Sequence, residues 1–182
     1  MITLTKTQID TALSEIASPL AKYCYLQTFL REIDVSRDKT FQKKYSGFYH
    51  IRHRNRAWKK FYFSLLERSK FHPLSFSDVL NAIHRKTGRV EASFSSKLVA
   101  TIDLSMPVID KFVLQNANLV LPVYGENRIE RVELLYETLR EKIDNFSHSE
   151  NGVYLVDSFL RRFPCCHITK TKMIDFVLWK IR

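Results

Sequence analysis

Residues 87–119 read TGRVEASFSSKLVATIDLSMPVIDKFVLQNANL, and they decide the fold. Gly88 marks a helix end, since glycine adopts left-handed backbone without a Cβ penalty. The residues Ser93-Phe94-Ser95-Ser96 are expected to form a short turn, with Phe94 plugged inward, before a helix that carries Lys97. Pro107 breaks that helix pattern and imposes an extended approach. Asp110 then opens the helix Lys111–Asn118 as its N-cap. A lysine and a carboxylate at two helix starts, beside a turn with free backbone N–H groups, can grip a phosphate and keep an acid close to it. The plainer reading makes Asp110 a cap and Lys97 a surface lysine.

The flanking segments extend the helical pattern. A first helix is expected from Lys6 to Glu32, with Thr5 as N-cap. Its apolar residues Ile9, Leu13, Ile16, Leu20, Tyr23, Leu26 and Leu30 recur at three- and four-residue steps. Pro19 should kink or divide it. Asp38 caps a short helix to about Tyr45, ending near Gly47. Asn55–Ser69 follows with Trp58, Tyr62, Leu65 and Leu66 inward and Lys59, Lys60 and Arg68 outward. Ser75 or Ser77 caps Asp78–Lys86. After a loop over 119–127, Arg128–Phe146 is the most regular helix, striped by Ile129, Val132, Leu135, Leu139, Ile143 and Phe146. Val153–Phe163 and Thr171–Ile181 complete the set. The fold class is all-α: one compact helical domain over 1–182, at most two helical lobes around a shared cleft, with 87–119 as its candidate helix-hairpin-helix and catalytic segment.

Composition agrees with this pattern. Four glycines and five prolines leave little material for the turns of an all-β fold. Cys24, Cys165 and Cys166 have neither disulfide-framework nor metal-ligand spacing. The expectation is therefore no metal and no cofactor. No apolar run is long enough to span a bilayer, and the N-terminus lacks a secretory pattern. A cytoplasmic, bacterial or nucleoid-associated monomer is the expectation. The net charge is +10, and residues 39–100 hold fourteen basic side chains against three acidic ones. A surplus confined to one segment makes one positive face, which attracts a polyanion.

The motif SFSSK followed by PVIDKFVLQNANL resembles the hairpin and following helix of the helix-hairpin-helix DNA glycosylase superfamily. Ser93, Ser95 and Lys97 stand where that family has a Gly-x-Gly-x-Lys hairpin, and Asp110 stands at its catalytic aspartate. Phe112, Val113 and Leu119 take the apolar positions that follow. Serines replace both glycines, the segment from lysine to aspartate is shorter than usual, and the iron–sulfur cysteines of some members are missing. The resemblance implies an enzyme that binds double-stranded DNA, flips one nucleotide into a pocket and cleaves its N-glycosidic bond. Asp110 would stabilise the developing sugar cation, or orient water, and Lys97 would contact phosphate or act as an amine nucleophile.

A second cluster, YSGFYHIRHRNR over 45–56 and on to Lys60, alternates rings with cations. Arg52, Arg54, Arg56, Lys59 and Lys60, with Ser93, Ser95 and Ser96, are the candidate DNA contacts. Tyr45, Tyr49, His53 and Glu91 are the candidate base pocket. Glu91 alternatively pairs with Arg89 or caps a helix. Asp103 caps a loop, and Lys170, Lys172 and Asp175 serve packing and solubility. Arg162 to His167 matches a helical-ribonuclease spacing that Pro164 interrupts. The resulting expectation is a DNA glycosylase acting in repair or in defence against modified-base phage DNA. The alternatives are a non-catalytic helical DNA- or RNA-binding module and a protein-interaction or regulatory domain.

Overall fold

A computed structural model describes all residues 1–182 as ten helices joined by short loops, with no strand. In chain order they are α1 (Lys6–Glu15), α2 (Ala17–Glu32), α3 (Lys39–Phe48), α4 (Arg56–Ser69), α5 (Phe76–Thr87), α6 (Ala92–Ile102), α7 (Lys111–Asn116), α8 (Arg128–Ser147), α9 (Glu150–Arg162) and α10 (Lys170–Lys180). Their caps follow local chemistry. Thr5 and Ser75 form capping boxes with Gln8 and Asp78, while Asp38, Asn55, Ser149 and Thr169 accept from a backbone N–H in the first turn. Gly88, at φ 67°, closes α5 in the left-handed conformation.

The expected Lys6–Glu32 helix is two helices, and the break falls at Ile16 rather than at Pro19. Pro19 has no N–H to give the Glu15 carbonyl and its ring crowds that carbonyl, so the chain restarts just upstream. Pro19 then lies in the first turn of α2, where no donor is required. The other element boundaries differ from expectation by a few residues.

Forty-six buried apolar residues form one continuous core. The apolar helix α10 is its hub and packs against α1, α7, α8 and α9. The second group is built from α2 on α3 and from α6 on α4 and α5; α5 also meets α8. At Gly152, near the start of α9, a Cβ would fall 1.8 Å from the Phe146 carbonyl oxygen, so α9 can turn off the end of α8 only over a glycine. Cys24 Sγ lies 3.2 Å from Cys166 Sγ, and burial pushes the Cys166 thiol up to about 12. No helix is long and apolar enough to cross a membrane.

Candidate functional site

Helices α2 and α3 face α6, α7 and α10 across a cleft of about 760 Å³. Tyr23, Phe48, Tyr49, Phe176 and Trp179 supply aromatic walls. Lys97, Asp110, Lys172 and Asp175 line the same cleft, with Lys22, Lys44, Lys180 and His50 also in its wall.

Asp110 arrives there through three local constraints. Pro107 keeps the chain out of a helix, the Ile109 N–H donates to Ser96 Oγ on α6 at 2.8 Å, and Asp110 Oδ1 accepts from the Phe112 N–H at 3.0 Å. The carboxylate is therefore the α7 N-cap and at the same time part of the cleft lining.

Lys97 is only 8% exposed. Its Nζ donates to the Tyr49 carbonyl at 3.1 Å and lies 5.4 Å from the Phe94 ring centroid. Tyr49 closes the C-terminal end of α3, and His50 after it takes a left-handed φ of 53°. A helix C-terminus leaves carbonyls free and favours a cation, so the lysine meets a complementary end. Burial nevertheless pulls the Lys97 pKa below the ordinary lysine value, and Asp110 and Asp175 partly counter it.

The second pair is one that sequence reasoning assigned to packing and solubility. Lys172 and Asp175 are 2% and 7% exposed, and Lys172 Nζ donates to Asp175 Oδ2 at 2.8 Å. Asp175 Oδ1 also accepts from the Val108 N–H at 3.3 Å, which ties α10 to the segment leading to Asp110. Burial works against the Lys172 charge, but the adjacent Asp175 carboxylate holds its pKa above the usual value. The available signal is Lys172 directly before the run Met173–Leu178, which is apolar apart from Asp175, three residues on. Charge on a helix that is apolar all round is buried and must be paired.

Several expected site residues lie elsewhere. Ser93–Ser96 belong to α6, not to a turn, and Ser95 and Ser96 are fully buried. Their hydroxyls satisfy the Glu91 and Ser93 carbonyls, so neither serine is available to a phosphate. The tight turn is instead 88–91, between α5 and α6. Tyr45 is a core residue: its hydroxyl meets Tyr62 Oη at 3.2 Å and Thr101 Oγ1 at 3.1 Å. It cannot stack on an extruded base. Tyr49 does line the cleft, and Thr101 Oγ1 donates to its hydroxyl at 3.4 Å.

His53 and Glu91 line a separate hollow of about 430 Å³, together with Arg54, Trp58, Lys86 and Arg89. There Arg54 Nη2 donates to both Glu91 oxygens, at 2.7 and 2.9 Å, so the partner of Glu91 is Arg54 rather than Arg89. The Arg54 guanidinium also sits 4.9 Å from the Phe94 ring centroid. Glu91 precedes α6 but makes no side-chain cap. Arg52, Arg56 and Lys60 are exposed and Lys59 is half-buried; none of the four forms an ion pair. Asp103 closes its loop by accepting from Ser105 N–H and Oγ, as expected. No cluster of three or more His, Cys, Asp or Glu side chains is arranged to hold a metal ion. Comparison with family models, curated proteins and solved structures returns no match.

Proposed function

We propose that this protein is a DNA N-glycosylase of helix-hairpin-helix type, built as two helical lobes around the aromatic-walled cleft. The observation that carries this reading is the meeting of Lys97 and Asp110, thirteen positions apart in sequence, in that cleft. The helix pair α5–α6 joined at Gly88 takes the part of the hairpin, and Arg89 sits in its turn. Double-stranded DNA docks through the basic flank, where Arg52, Arg56 and Lys60 neutralise phosphates, and the protein acts as a monomer.

A nucleotide rotated out of the duplex enters the cleft, at a cost of a few kcal/mol in stacking. The Asp110 carboxylate stabilises the oxocarbenium-like sugar as the N-glycosidic bond breaks. The bond's electron pair leaves with the base, water adds as hydroxide to C1′, and its proton goes to the base. Lys97 acts inside the cleft rather than on a backbone phosphate, because it is buried against the end of α3. Burial lowers its pKa below the ordinary lysine value, and its Nζ donates to the Tyr49 carbonyl at the end of α3.

The test is incubation with duplexes bearing damaged and bulky modified bases, followed by alkaline cleavage of abasic sites. Asp110→Asn is expected to lower single-turnover product by about 10²–10³-fold. Asparagine caps a helix about as well as aspartate, so thermal stability and duplex binding should hold. Equal excision by wild type and Asp110→Asn would exclude this role for the carboxylate. Duplex binding without product across the panel favours the second reading, a passive nucleic-acid-binding module, which the exposed unpaired cations also suit.

A further inference from the structure

Cys24, on α2, and Cys166, in the loop between α9 and α10, stand 142 positions apart in sequence, yet their sulfurs lie 3.2 Å apart. Both thiols are partly exposed, so a small oxidant reaches them without unfolding. The loop holds Cys166 in place. Its N–H donates to the Phe163 carbonyl at 3.1 Å, and its carbonyl accepts from the Ile168 N–H at 3.2 Å. Thr169, the α10 N-cap, donates its hydroxyl to the Leu104 carbonyl. A disulfide needs its sulfurs about 2.05 Å apart, so the pair has to close by only roughly 1 Å. Cys165 is exposed beside Cys166, but adjacent cysteines bridge only with strain. The cross-chain partner, on α2, is the favoured one.

The pair also adjoins the cleft. Cys24 lies between Tyr23 and Tyr25, both in the cleft wall, and the Cys166 loop leads into α10, which contributes Lys172, Asp175, Phe176 and Trp179. The two helices touch through Tyr23, whose ring meets Phe176 edge-on with centroids 5.5 Å apart. We propose that Cys24 and Cys166 form a redox-modification site, in which a hydroperoxide converts the dithiol into a disulfide that staples α2 to the entry of α10. One sulfur, as thiolate, attacks a peroxide oxygen. The O–O bond breaks, water or an alcohol leaves with a proton, and the sulfur becomes a sulfenic acid. The second thiol displaces that hydroxyl as water and forms the S–S bond. Two thiols are oxidised and one peroxide is reduced. Burial pushes the Cys166 thiol up to about 12, and only the thiolate reacts, so the pair stays reduced against trace peroxide and closes under sustained exposure.

The test is exposure of the full chain to hydrogen peroxide, followed by non-reducing peptide mapping and thermal melting. A cross-linked Cys24–Cys166 peptide should form in wild type and in Cys165→Ser, and dithiothreitol should remove it. The same peptide should be absent from Cys24→Ser and from Cys166→Ser. The bridge closes a long loop, so the oxidised protein should melt roughly 5–15 °C above the reduced one. Amide exchange over residues 163–169 should slow with it, and both changes should reverse with the dithiol. Peroxide treatment that leaves all three thiols free overturns the proposal. So does a Cys165–Cys166 bridge, a disulfide between two copies through Cys165, or sulfinic acid in place of a bridge. A bridged protein with unchanged melting and exchange also overturns it, because no staple has then formed. Wild type and Cys165→Ser decide these outcomes by themselves, whether or not the two half-buried serine variants fold.

Discussion

In the cleft, the side chains of Lys172 and Asp175 are 3% and 10% exposed; on the basic flank, those of Arg54 and Glu91 are 20% and 13% exposed. Both are close ion pairs, yet their surroundings differ. The cleft pair sits on a helix of Met173, Ile174, Phe176, Val177 and Leu178, and it anchors the backbone at Val108. The flank pair stands among exposed Arg52, Arg56 and Lys60. The cleft pair is therefore buried and held in position on an apolar helix. The charges on the flank are numerous, mobile and screened by salt. The same pairing chemistry thus anchors backbone where it is buried on α10 and stands among exposed cations on the flank.

The largest expected effect breaks the cleft pair. Lys172→Met should destabilise the protein by about 3–5 kcal/mol in urea unfolding, because it strands a buried carboxylate. Lys172→Met with Asp175→Leu should recover most of that loss. An equal penalty for both proteins would place the cost in packing rather than in charge, and the contrast with the flank would weaken.

Ser96→Ala comes next. It removes the acceptor of the Ile109 N–H and should cost about 1–3 kcal/mol. Turnover should also fall, since Asp110 follows directly. Unchanged turnover in a stable Ser96→Ala protein would show that Asp110 is held by its cap alone.

The pH dependence of stability gives a smaller signal with opposite signs at the two lysines. The Lys97 pKa is lowered, so between its folded value and 10.5 the unfolded chain holds the extra proton. Stability should therefore rise with pH through that window. The Lys172 pKa is raised, so its contribution is complete below 10.5 and is lost as pH climbs through its folded value. Melting of wild type and Lys97→Met compared up to about pH 10.5 should diverge in favour of the wild type as pH rises. A constant difference would refute the buried-cation account of Lys97.

The smallest effect belongs to the flank. Lys60→Ala should leave folding intact and lower the salt slope of duplex binding by about one. An unchanged slope would remove Lys60 from the phosphate contacts.

Helix positions were largely legible because caps and apolar spacing are local. Thr5, Asp38 and Asp110 cap where their side chains compete for first-turn N–H groups, and Gly88 stops α5 for its own backbone reason. The misreadings also have local causes. Ser93, Ser95 and Ser96 resemble a turn because serine favours turns and caps. In α6 the buried hydroxyls bond back to carbonyls three and four residues earlier, so a small-residue helix accommodates them. Tyr45 shared the aromatic–cation pattern of its neighbours, but its position on the inner face of α3 sent it to the core.

The amino-acid order alone determined the all-helical class, the basic segment and the candidacy of Lys97 and Asp110, since each depends on neighbours within a few residues. The tertiary structure decided that these two side chains share one cleft with Lys172, Asp175 and Tyr23. Those groups come from α2, α6, α10 and the approach to α7. Whether a lysine is a surface charge or a buried one depends on what packs over it, and no local pattern carries that information.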